Sequence, residues 1–232
     1  MYQRLLSLLL ISLSLLVSSV CIGSEGRATP YVILEGPASP CQQVVEMIFK
    51  VQKSEFQRGT WRRFFEKIVW RNDTYPTVTA EGRDWKVPYK YTELDIDNDG
   101  RSDVVIKYTD MMSNDIWDWI YVMEPDEFFH SQKNGTFSRA ALSKTKQVNP
   151  LNFVEFVGRP DEEIASPTEM AIWTNNNINY LVMKEGFFAS DKKRRPNSLF
   201  VAQIAGISKL PQLDGVPKRL VLDMVCRIGV KN

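Results

Sequence analysis

The residues best suited to chemistry fall in one short run, Asp95-Ile96-Asp97-Asn98-Asp99-Gly100-Arg101-Ser102-Asp103. Its four aspartates stand at relative positions 1, 3, 5 and 9, with glycine at 6. In a tightly curled loop, alternate residues turn their side chains inward, so Asp95, Asp97 and Asp99 converge. Gly100 permits the sharp turn, the Arg101 carbonyl can add an oxygen, and Asp103 closes the cage. Carboxylates this close repel one another unless a cation sits among them. Hard oxygen donors on a flexible loop select calcium over zinc or copper. Calcium is therefore the expected cofactor, with Asp95, Asp97, Asp99, Arg101 and Asp103 as its metal site.

An EF-hand would carry a bidentate glutamate at position 12, where this chain has Ile106. Val104-Val105-Ile106-Lys107-Tyr108 reads as a strand, so the loop belongs to a β-hairpin, placed at residues 92–123, and not to a helix pair. This stretch resembles the FG-GAP and VCBS repeat families. Their pattern, Asp-x-Asp-x-Asp-Gly-x-x-Asp before an apolar strand, is met at Asp95, Asp97, Asp99, Gly100 and Asp103. The resemblance covers only the loop and its flanks in a chain of 232 residues. It implies a calcium-binding β-hairpin, often part of a propeller blade, in secreted or surface proteins. Those families carry several copies, whereas this chain carries one and is short for a complete propeller.

Other reactive residues are sparse. His130 is the single histidine; catalytic zinc sites normally draw on two or three, and a Ser-His-Asp hydrolase of the α/β type would need a Gly-x-Ser-x-Gly elbow that is absent. Asp110 with Asp115, or Asp161-Glu162-Glu163, could serve carboxylate-based glycoside hydrolysis if two faced each other across a cleft. No phosphate-binding glycine loop or dinucleotide fingerprint occurs. Trp117, Trp119 and Tyr121 alternate with Ile116, Asp118, Ile120 and Val122, so a strand there puts the three aromatics on one face. They either stack on a ligand such as a sugar ring or pack against the next layer.

These residues must be positioned by a mostly β body. Strands are expected at residues 103–109, 116–123, 169–174, 178–184, 198–204 and 219–227, where β-branched and aromatic runs alternate with turn-forming clusters. Asn175-Asn176-Asn177 marks a hairpin, because Asn tolerates left-handed backbone. Val44, Val45, Ile48 and Val51 recur at helical spacing after Ser39-Pro40, which predicts a helix. Residues 61–70 read equally as a short helix or a strand, within a helical lead spanning 41–70. The fold class is thus mainly β, built of antiparallel hairpins as a partial propeller or a sandwich, with a short N-terminal helical segment. Residues 24–232 form one domain in this reading.

Met1–Arg4 is a positive start, and Leu5–Val20 is apolar and uncharged but short for a membrane span. This predicts a signal peptide over residues 1–23, with no transmembrane span in the mature chain. A lipidated Cys21 and an uncleaved anchor are the competing readings, and all three place the body outside the cytosol, secreted or periplasmic. Cys41 and Cys226 are then expected to form a disulfide. Lys+Arg and Asp+Glu number 29 and 28, so no global basic field exists to hold nucleic acid. The expected function is non-enzymatic binding of a protein or a glycan. A carboxylate-dependent glycan hydrolase and an inhibitor or immunity-type partner of another exported protein are the alternatives.

Overall fold

The computed structural model describes residues 31–36, 38–51, 60–78, 82–112, 115–142, 145–148, 155–157, 167–185, 198–207 and 218–230. The expected signal peptide, Cys21 and Asp161-Glu162-Glu163 lie outside the described residues. The protein is mainly β. Its strands are β1 (Tyr31–Glu35), β2 (Arg71–Val78), β3 (Asp84–Leu94), β4 (Asp103–Met112), β5 (Asp115–Met123), β6 (Lys146–Val148), β7 (Glu155–Phe156), β8 (Pro167–Asn175), β9 (Ile178–Glu185), β10 (Leu199–Ile207) and β11 (Lys218–Val230). The six strands expected from sequence correspond to β4, β5 and β8–β11. The Asn cluster makes the β8–β9 turn, with Asn176 and Asn177 at φ 50° and 61°, as a type I′ turn requires.

The strands run in the order β2-β3-β4-β5-β6-β11-β10-β9-β8, with β1 and β7 also on β11. Neighbours are antiparallel except β6 and β7, which run parallel to β11. β11 starts beside β6 at Lys218 and Arg219, then pairs with β10 from Leu220 to Ile228. One long strand therefore belongs to both halves of the sheet. The halves pack face to face over a common core. Val105, Ile120 and Val122 come from one half, and Met170, Ile172, Leu181, Met183, Phe200 and Leu222 from the other. This is the sandwich arrangement rather than a propeller blade: two inner faces interdigitate, and alternate residues of each strand point outward.

Helices cover both outer faces. α1 (Ala38–Phe49) lays Cys41, Val44, Val45 and Ile48 against Val182, Val201 and Ile228. Ser39 is extended at φ −104°, ψ 130°, so the regular turns start at Pro40, a residue preorganised for a first helical position. Cys41 and Cys226 are bonded, with Cα atoms 6.1 Å apart, which fastens α1 to β11. Of the rest of the helical lead, residues 52–59 lie outside the described residues, and the described part is a 3-10 turn at Thr60–Phe64 followed by irregular chain to residue 70. Trp61 and Phe65 from this segment are fully buried beside α1.

On the other outer face lie α2 (Pro125–Lys133) and α3 (Arg139–Leu142). Pro125 opens α2, and Asp126 and Glu127 follow in its first turn, where negative charge suits the helix dipole. Phe128 of α2 packs with Tyr75, Tyr89, Ile106, Phe137 and Leu142 in an aromatic cluster. No helix among the described residues is long and apolar enough to cross a membrane.

Candidate metal centre

The aspartate run joins the end of β3 to the start of β4. Donor oxygens of Asp95, Asp97 and Asp99 all lie within 4.8 Å of one another. The curl follows from local bonds. Asp95 accepts the Asp99 N–H on Oδ1 at 2.9 Å and the Gly100 N–H on Oδ2 at 3.0 Å. Asp99 Oδ1 accepts the Arg101 N–H at 2.8 Å. Asn98 and Gly100 take φ 60° and 89°, a region open to Asn and Gly and strained for most other residues. Between the first two aspartates, Ile96 drops its side chain into the central core, 1% exposed.

Asp103 opens β4 opposite Leu94 and stands outside the three-carboxylate group. Burial, and then the charge of Asp97, push its pKa up to about 6, against the pull of Lys146 and of the Ile96 N–H. Asp97 Oδ1 and Asp103 Oδ2 are both buried without a hydrogen-bond partner. Buried acceptors normally have a partner, and a negatively charged pair without one is costly. These two oxygens, beside the three converging carboxylates, suit an oxygen-coordinated cation. Arg101 contributes its backbone N–H to the curl and keeps its side chain exposed.

Residues with no motif of their own anchor this loop. Asn98 exchanges bonds with the backbone of Asn179 on β9 at 2.7 and 3.1 Å. Asn179 Nδ2 donates to the Asp95 carbonyl at 2.6 Å, and its Oδ1 accepts the Thr174 hydroxyl at 2.6 Å. Asn179 is 5% exposed, and every polar atom of its side chain is used. Asn98 lies inside the motif at a position that its pattern leaves open. Asn179 carried no signal, since its role depends on where β9 comes to lie.

A second polar cluster joins the two halves of the sheet. Lys107 Nζ donates to Glu66 Oε1 and to the Met170 carbonyl, each at 2.6 Å, and lies 3.8 Å from Asp118. Asp118 is fully buried and accepts from Arg62, from Thr109 Oγ1 and from the Met170 N–H. Burial alone would raise its pKa, but Lys107 and Arg62 hold the carboxyl below its ordinary range. Glu169 accepts from Trp61 Nε1 and Lys184 Nζ, each at 2.6 Å. β8 is the last strand of the order, and Met170 turns both its backbone groups away from β9. Lys107 and Asp118 occupy that free edge.

The remaining candidates are placed as follows. Tyr121 packs on the aromatic cluster under α2, and burial lifts its pKa to about 12. Trp119 is half-buried, with Nε1 lacking a partner. The side chains of Trp117, Asp110 and Asp115 lie outside the described residues. His130 is exposed on α2 and pairs with Asn134 Nδ2 at 2.9 Å. The neighbouring Ser131 hydroxyl donates to the Phe128 carbonyl at 2.8 Å, so it is not turned toward His130. Comparison with models of protein families, with curated proteins and with solved structures gives no match.

Proposed function

We propose that the protein is an exported, calcium-binding β-rich module that works by binding another molecule, a protein or a glycan. The observation that carries the calcium reading is the pair of buried, unpartnered oxygens, Asp97 Oδ1 and Asp103 Oδ2, beside the converging carboxylates of Asp95 and Asp99. Asp95, Asp97, Asp99, Asp103 and the Arg101 carbonyl would hold the ion, in keeping with the FG-GAP and VCBS-like pattern. The ion would neutralise the loop and hold β3 against β4. Its role is that of a staple, because Asn98 already ties the loop to β9.

Export is supported by the apolar Leu5–Val20 segment and by the Cys41–Cys226 bond, since such bonds persist in oxidising compartments. Binding rather than catalysis is favoured by the occupation of the buried carboxylates. Asp118 and Glu169 spend their oxygens on Arg62, Met170, Trp61 and Lys184, and His130 sits exposed on a helix bonded to Asn134.

Thermal unfolding with millimolar calcium and with chelator tests this reading. A ligand present at a hundred times its Kd stabilises by about 2.7 kcal/mol, or about 5–10 °C for a domain of this size. Calcium should raise the midpoint of the wild type and leave Asp97→Ala unmoved. Equal midpoints with calcium and with chelator in the wild type would sink the calcium reading.

A further inference from the structure

Sequence register and one proline open a groove that the calcium loop does not use. β3 pairs with β4 only from Lys90↔Lys107 to Leu94↔Asp103. Beyond that, β3 continues on β2, and β4 continues on β5. Pro88 falls where the β3–β4 ladder stops, and it has no N–H to offer β4. A cavity of about 360 Å³ opens there, bounded by Pro88 and Lys90 from β3 and by Lys107 and Thr109 from β4. A second cavity of about 340 Å³ shares Lys90, Lys107 and Thr109 and is walled by the 3-10 segment and Trp70. Together they make one groove, and each alone has the size of a small-molecule site.

The groove is lined by four cations, Arg62, Arg63, Lys90 and Lys107, and by two carboxylates, Asp73 and Glu66, with Asp118 buried behind them; Asp73 is held by Thr74 N–H, Tyr89 and Gln132. Lys107 is answered by Glu66 and Asp118, and Arg62 by Asp118. Lys90 is exposed and stands directly across from Lys107. Among the described residues it has no carboxylate partner. Lys107 is already compensated inside the fold, so an arriving anion would meet Lys90. The rest of the lining is of a different kind. Asn72 and Thr74 line it with an amide and a hydroxyl, while the Thr109 hydroxyl already donates to Asp118. Trp70 is half-buried, its Nε1 3.3 Å from Glu66 Oε2 and its ring 5.8 Å from Lys107 Nζ. An indole held in place, an amide with a hydroxyl, and an unanswered ammonium match the apolar face, hydroxyls and carboxylate of a uronic acid.

We propose that the groove between β3, β4 and Trp70 binds an acidic saccharide, with Lys90 meeting the carboxylate and Trp70 the sugar ring. This rests on the binding-module reading and names its ligand class, at a site separate from the aspartate loop. The test is calorimetric titration of the full chain with an oligogalacturonate, against a neutral oligosaccharide, inorganic phosphate and an oligoglutamate. Saturable binding to the uronate is expected. Lys90→Glu, at an exposed position, should weaken it about tenfold or more, as loss of a charge-assisted contact does. Trp70→Leu should weaken the uronate while preserving the unfolding midpoint within a few degrees, and Trp70→Phe should recover part of the loss. The proposal is overturned if the uronate does not bind, if Lys90→Glu binds it unchanged, or if phosphate or oligoglutamate binds as tightly. The calcium dependence of the wild-type midpoint separates the two readings. Uronate binding kept with no calcium-dependent midpoint in the wild type discards the calcium loop alone. A calcium-dependent midpoint with no uronate binding discards the groove alone.

Discussion

Asn98 and Asn179, far apart in sequence, exchange two hydrogen bonds: the Asn179 N–H donates to Asn98 Oδ1 at 2.7 Å, and Asn98 Nδ2 donates to the Asn179 carbonyl at 3.1 Å. The side chain of Asn98 thereby acts as one more residue of backbone for β9. It welds the aspartate loop to the other half of the sheet. Because Asn98 also holds φ 60°, it meets two requirements at one position.

Asn98→Ala removes both bonds and forces a residue with a Cβ and no polar group into left-handed backbone. Losing such bonds costs about 1–3 kcal/mol, and the strain about 1 kcal/mol more. The unfolding midpoint should fall by about 4–16 °C at about 2–4 °C per kcal/mol. Asn98→Gly removes the bonds but not the backbone freedom, so it should fall less. If both variants unfold with the wild type, the Asn98–Asn179 pair contributes nothing.

Lys107 and Asp118 give a second prediction. Lys107→Met leaves Glu66 and Asp118 facing each other with less positive charge, and one broken buried pair costs about 3–5 kcal/mol. The double variant Lys107→Met/Glu66→Gln should lose less than the sum of the two single changes, because the two groups are in direct contact. Urea unfolding of the four proteins measures the coupling. Additive losses would mean that the 2.6 Å contact between them carries no energy.

The acid limb of stability should depend on Asp118. Burial works against its ionised form, yet Lys107 and Arg62 hold its folded pKa below the ordinary value. Between that folded value and the unfolded value of about 3.9, the unfolded chain binds more protons than the native one. Stability from this group is therefore complete above about pH 4 and is lost as the pH falls through the folded value. Asp118→Asn should flatten this part of the urea midpoint against pH. An unchanged slope below pH 4 would assign the acid limb to other carboxylates.

The Cys41–Cys226 bond closes a loop of 185 residues. In the chain-entropy model a loop this long is worth about 5 kcal/mol, although measured values often fall short. Reduction, or the double change Cys41→Ala/Cys226→Ala, should lower the unfolding midpoint by about 10 °C or more. A change within a degree or two would show that α1 is held on β11 by the packing of Val44, Val45 and Ile48 alone.

The amino-acid sequence determined what depends on neighbours along the chain. The Asp-Gly spacing specified a curled acidic loop, the Asn cluster specified a left-handed turn, and alternating apolar runs marked the six strands with buried faces. β2 and β3 escaped this reading because the outer part of their hairpin is exposed on both faces; residues such as Thr77, Trp85 and Lys86 carry no clean alternation. α2 escaped because nine residues with adjacent Phe128 and Phe129 hold too little helical period, although Pro125 and the acidic first turn were a local signal. Tertiary structure alone decided that β11 serves both halves of the sheet, that Lys107 and Asp118 meet the edge of β8 at Met170, and that Asn179 lies under the aspartate loop. Each of those partnerships is set by which surfaces the core brings together. A single Asn or Lys far away in the chain carries the same local chemistry whether or not its partner arrives.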